Sequence, residues 1–155
     1  MMLGLRLGLG AGKASFGSEL LANGDFATGD LTGWDDVNAF WTVSGGKAVH
    51  ASSSVFNQLR QAVSVTAGWS CRLAFTISNY SGTGGVRVQW RNAGGSPISP
   101  SIYGSGGAFS AITADGTYIE TITVPATANY LMFARDASGN SAAFELDNVS
   151  LRRAL

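Results

Sequence analysis

The sequence predicts an all-β protein: an antiparallel β-sandwich with an extended N-terminal arm. Three observations carry that expectation. Apolar and polar residues alternate over short runs, and turn signals recur about every eight to twelve residues. No stretch shows a helical period with caps at its ends. The 155 residues make one domain with a sizeable core, whereas two would each bury too little surface.

The arm is assigned to residues 1–17 and the sandwich to 18–153. Leu3, Leu5, Leu7 and Leu9 occupy every second position, so an extended strand presents all four on one side. Such an edge seeks a partner, and these leucines are read as assembly residues of a homo-oligomer. A secretory leader would carry an unbroken apolar stretch, which Arg6 and three glycines interrupt here. A phosphate-binding loop ending at Gly12-Lys13 would need Gly and Ser or Thr where Leu7 and Ala14 stand.

Within the sandwich a short strand is expected over 19–21, ending at Asn23-Gly24. Residues 23–34 form a loop punctuated by Gly24, Gly29 and Gly33. Strands at 40–43 and 47–50 flank Ser44-Gly45-Gly46, a hairpin turn. Longer strands follow at 57–65 and 70–78, joined through Ala67-Gly68. Further strands are expected at 86–91, 117–124, 130–134 and 142–151. Residues 92–116, rich in glycine and proline, are irregular, and a connection of that length is often functional.

Alternation assigns the faces. Leu73, Phe75 and Ile77 share one side, as do Val86 and Val88, Ile122 and Val124, and Leu131 and Phe133. Their burial between two sheets supplies the main stabilisation, about 25 cal/mol per Å². Arg72, Thr76 and Ser78 point the other way, as do Arg87, Gln89, Arg91, Tyr130 and Met132. A register slip of one residue would instead bring out Trp41 and Trp90.

Composition excludes several functions. Charged residues are 13% of the chain, with ten basic and ten acidic and no basic stripe, so nucleic acid is not an expected partner. Cys71 is the single cysteine and can form neither an internal disulfide nor a thiolate cluster. No apolar run approaches the roughly twenty residues that span a bilayer.

The opening Glu19-Leu-Leu-Ala-Asn-Gly-Asp-Phe26 and Gly29-Asp-Leu-Thr-Gly-Trp34 resembles that of the galactose-binding-like jelly rolls, which include many carbohydrate-binding modules. Leu59 to Val63, Leu73 to Phe75 and the closing Ala143-Phe-Glu-Leu-Asp-Asn-Val-Ser-Leu151 extend the resemblance over about residues 18 to 151. It implies a jelly roll that holds sugars on the outer face of one sheet. Aromatic rings meet the apolar side of a pyranose and planar polar groups meet its hydroxyls. Arg87, Gln89, Arg91 and Tyr130 are the glycan-binding candidates, with Tyr80 and Tyr103 nearby. The plain alternative makes the arginines and Gln89 solvated surface residues.

The resemblance also implies a structural calcium between the opening and closing strands. Asp25 and Asp147 would be its ligands, with the Lys47 carbonyl. Ala27 replaces the Glu common after the motif Phe, which weakens a site that wants several oxygens. Similar modules with a Leu/Gly-rich start occur on phage and gene-transfer particles. The function implied is a non-catalytic virion surface subunit, anchored to other virion structural proteins by its arm and touching host-surface polysaccharide. The alternative is a stand-alone secreted lectin. Catalysis lacks a motif: His50 reads as a structural histidine, no Gly-x-Ser-x-Gly elbow exists, and Glu120 and Glu145 would have to share one cleft to act as a glycosidase pair.

Overall fold

Ten strands build two antiparallel sheets in the computed structural model, which describes residues 14–136 and 140–155. Leu3, Leu5, Leu7 and Leu9 lie outside the described residues. In chain order the strands are β1 (Phe16–Glu19), β2 (Asp35–Asp36), β3 (Thr42–Ser44), β4 (Lys47–His50), β5 (Gln58–Ala62), β6 (Ser70–Ser81), β7 (Val86–Arg91), β8 (Gly116–Thr123), β9 (Tyr130–Arg135) and β10 (Ala143–Ala154). One sheet runs β3-β4-β10-β6-β8, with β1 also paired to β10; the other runs β2-β5-β9-β7. No helix occurs among the described residues, and so none is long and apolar enough to cross a membrane.

The core lies between the sheets and is filled by the alternating residues. Leu73, Phe75 and Ile77 of β6, Val86 and Val88 of β7, and Leu131 and Phe133 of β9 are all buried. Trp41 and Trp90 are core residues as well, so the register is the one the alternation gives. Phe26 closes one end, its ring 5.7 Å from Trp34, which in turn meets Phe133 edge-on at 6.2 Å. The β3–β4 hairpin turns through Gly45-Gly46, both at positive φ (58° and 73°), because a two-residue turn between twisted strands needs that geometry.

The ends of elements differ from the expected ones. The first strand covers Phe16–Glu19, not 19–21: Phe16 pairs with Ala154, while Leu21 leaves the sheet to enter the core. β10 continues past 151 to Ala154 because β6 pairs along its other side as far as Arg153. β2 is only two residues long, too short to leave a periodic signal, and pairs Asp35 with Arg60. Gly24 in the opening loop does more than turn the chain. Its carbonyl accepts the Val149 N–H at 2.8 Å, and a Cβ there would lie 2.0 Å from the Val149 oxygen.

Within the irregular stretch, residues 92–112 are held to the second sheet. Their backbone runs along the free edge of β7, with the Val88 N–H on the Tyr103 carbonyl and the Ile98 N–H on the Trp90 carbonyl. They therefore extend the second sheet and raise a wall beside its outer face.

Candidate functional site

Register places the predicted residues together. Across β7 and β9, Arg87 faces Ala134, Gln89 faces Met132 and Arg91 faces Tyr130; across β5 and β9, Gln58, Arg60 and Ala62 complete the same three rows. Because side chains alternate, all nine project from the outer face of the second sheet. Arg87, Gln89, Arg91 and Tyr130 thus share one surface with Gln58 and Arg60.

That surface is partly roofed, which corrects the reading of Gln89 and Arg91 as solvated, while Arg60, Arg87 and Tyr130 keep part of their surface in solvent. Gln89 is 3% exposed, Arg91 7% and Met132 0%. Phe56, in the loop before β5, lies over the Arg91 guanidinium at 5.6 Å. Its segment is tied down by Arg135, whose guanidinium donates to the carbonyls of Ser54 and Val55. From the opposite wall, Gly95 accepts a hydrogen bond from Arg91 Nη1 at 2.8 Å, and Ile98 accepts one from Gln89 Nε2 at 3.4 Å.

The three guanidinium groups of the face differ in their partners. Arg60 pairs with Asp35 at 2.8 Å and lies over the Tyr130 ring at 4.5 Å. Arg87 pairs at 2.7 Å with the buried Asp136, which also accepts the Ser105 N–H. Arg91 has no carboxylate partner among the described residues. Burial lowers its pKa, and the charges of Arg60 and Arg87 push the same way. Among the described residues, three enclosed polar atoms of this face have no hydrogen-bond partner: Gln58 Oε1, Gln89 Oε1 and Arg91 Nε. Buried polar atoms are rarely left so, and two acceptors with a cationic donor on one face invite a polar ligand.

The remaining candidates are spread through the fold. Tyr80 accepts the Gly85 N–H at 3.1 Å, and Tyr103 is a core residue whose hydroxyl donates to Glu120 at 2.7 Å. Burial, then that bond to Glu120, raises the Tyr103 pKa, so the phenol stays protonated. Glu120 lies opposite Leu73 in the register and faces inward, whereas Glu145 is held on the other side of its sheet by Lys47, Ser78 and Asn79. The two carboxylates do not face one cleft. His50 is enclosed by Phe40, Trp41 and Phe144 and bonds the Ala142 carbonyl through Nδ1 at 3.0 Å.

No protein-family profile matches the chain, and no curated protein does either. Solved structures are similar in fold. A family 29 carbohydrate-binding module matches at TM-score 0.58 and 16% identity, covering 90% of this chain and 91% of that one. The fold is the carbohydrate-binding-module jelly roll. A xylan-binding domain from Paenibacillus barcinonensis agrees with it at TM-score 0.55 and 12% identity, over 91% of this chain and 96% of that one. The enzymatically active domain of tailspike protein 4 from bacteriophage CBA120 matches at TM-score 0.54 and 15% identity, over 87% of this chain. The chain spans 21% of the length of that solved domain.

In this jelly roll the carboxylates assigned to calcium are engaged locally. Asp25 accepts the Ala27 N–H at 3.3 Å, and Asp147 accepts the Asn148 backbone N–H at 2.6 Å and its side-chain amide at 3.1 Å. Among the described residues no three acidic, histidine or thiol groups come together. Asp25 and Asp147 do not fit a hard cation, which takes six to eight oxygens. The opening and closing strands are instead clasped by Glu19, which the sequence reading missed. Its carboxylate accepts the Leu151 N–H at 2.7 Å, the Ser150 hydroxyl at 2.6 Å and the Leu20 N–H at 3.1 Å, with Arg152 at 3.2 Å.

The 92–112 wall also borders a concavity. An apolar cleft of 260 Å³ lies between Pro100, Ile102 and Phe109 on the wall and Thr121 and Thr123 of β8 with Pro125 just after it. Phe109 is 38% exposed there. No charged side chain lines it.

Proposed function

We propose that this jelly roll is a non-catalytic glycan-binding module of a virion surface. The β5-β9-β7 face holds the saccharide, and the N-terminal arm anchors the module to other virion structural proteins. The observation that carries the glycan reading is the set of enclosed, unbonded groups on that face, Gln58 Oε1, Gln89 Oε1 and Arg91 Nε, beside the rings of Tyr130 and Phe56. Sugars satisfy such a surface because each pyranose offers hydroxyls at its rim and C–H bonds on its face. The fold likeness to carbohydrate-binding modules supports this reading, and the likeness to part of a tailspike supports the virion setting.

A glycan array tests the reading. Tyr130→Ala and Gln89→Leu should each weaken binding tenfold or more, while Phe109→Ala in the apolar cleft should leave it unchanged. Loss in Phe109→Ala with retention in the other two would move the site to the cleft. Anchoring is tested separately by deleting residues 1–13, which keeps β1 and Glu19 intact. The truncated chain should bind glycans as before and fail to enter particles; unchanged incorporation would overturn the anchoring role.

A further inference from the structure

The partner of Arg91 is the unsolved part of this face. We infer that the saccharide held there is acidic, and that the carboxylate of a uronate- or sialate-type sugar pairs with Arg91. The inference rests on the reading of this face as a glycan site and deepens it by naming the ligand class.

Three guanidinium groups share the face, and two of them have a carboxylate within 2.8 Å: Asp35 for Arg60 and Asp136 for Arg87. Arg91 is the most buried of the three positively charged side chains, yet its polar contacts are one carbonyl, Gly95, and one ring, Phe56. The Arg60 guanidinium approaches the same Gly95, since a Cβ on that glycine would lie 2.7 Å from Arg60 Nη1. Two cations therefore converge at one turn and only one is neutralised. Burying an unpaired charge is strongly unfavourable, and repulsion from the neighbours adds to it. A fold that keeps a guanidinium in such a place gains most when an anion arrives.

The chemistry of the free atoms narrows the anion. Arg91 Nε–H is a donor with no acceptor, and with a terminal N–H it forms the fork that matches a planar carboxylate. Gln58 Oε1 and Gln89 Oε1 are acceptors with no donor, which suits hydroxyls. A sugar acid carries both kinds of group within one residue; chloride or sulfate has no hydroxyl to offer, phosphate is not planar, and a neutral glycan leaves the charge unmet. The Nε edge is enclosed in the free protein, so the carboxylate enters as the Phe56 ring moves off the guanidinium. The ring is half-buried while the backbone before it stays held by Arg135, so this movement is a rotation of the Phe56 side chain alone.

The test uses the full chain and an array carrying oligogalacturonate, oligomannuronate and sialyllactose, the methyl esters of each, and neutral mannohexaose and xylohexaose. Wild type should prefer at least one carboxylated glycan over its ester tenfold or more. Arg91→Met should erase that preference while raising Tm, because it removes an unpaired charge. Equal binding of acids and esters, or a preference that survives Arg91→Met, overturns the acidic ligand and leaves the glycan site standing. A lowered Tm in Arg91→Met makes the guanidinium structural and also overturns it. Binding of none of the glycans overturns both readings together.

Discussion

His50 shows how one buried side chain sets a pH limit on the whole fold. Its ring stacks on Phe144 at 5.0 Å, and burial lowers its pKa from 6.5 to about 4, with the Arg135 charge adding to the effect. Because the folded-state value lies below the unfolded one, the unfolded chain binds the extra proton first. Stability is therefore complete above pH 6.5 and falls as the pH drops toward 4. At pH 4.5 the loss is about 2–3 kcal/mol by linkage. Urea melts of wild type and His50→Phe at pH 7 and 4.5 should differ by that amount in their pH dependence. Gly24 is a second sensitive position: with the Val149 oxygen 2.0 Å from any added Cβ, Gly24→Ala must separate the opening loop from β10. A loss of about 3 kcal/mol or more is expected in denaturant unfolding. The motif Asn23-Gly24 is legible as a turn, but the close approach is not, since it involves a strand 125 residues away in sequence.

Elements are held by contacts of the same long range. Glu19 links β1 to β10 through acceptors that meet Ser150, Leu151 and Arg152, and these bonds hold its pKa below the ordinary carboxylate value against the opposing effect of burial. Glu19→Ala should cost about 2 kcal/mol, the scale of hydrogen bonds to a charged group, with most of the loss remaining at high salt because the amide and hydroxyl bonds outweigh the exposed Arg152 pair. Thermal melts at low and high ionic strength check it. The strands themselves were readable because Leu73, Phe75 and Ile77, or Leu131 and Phe133, repeat at period two. β2 and the extension of β10 were not, because Asp35-Asp36 and Arg152-Arg153 carry no apolar alternation and join their sheets only through pairing. Alternation also told which residues share the outer face. It could not tell that Phe56 and the Gly95 turn cover that face, since neither lies in a periodic segment.

For the whole molecule, two sheets with an apolar interior leave one outer face with a wall on one side and a roof from the loop before β5. The fold class was therefore open to reading, while the state of its binding face depended on which loops fold over it. The grouping of Arg87, Gln89, Arg91 and Tyr130 was readable; that Arg60 and Arg87 would find carboxylates and Arg91 would not is a property of the assembled fold alone. The central claim is that this face, and not the apolar cleft by Phe109 or the Glu19 clasp, receives a glycan. Amide chemical-shift mapping during titration with the strongest array ligand tests it most directly. The account predicts shifts confined to Gln58–Ala62, Val86–Arg91, Tyr130–Arg135, Phe56 and Gly95. Shifts centred instead on Ile102, Phe109 and Thr121, or on Glu19 and Asn148, would contradict it.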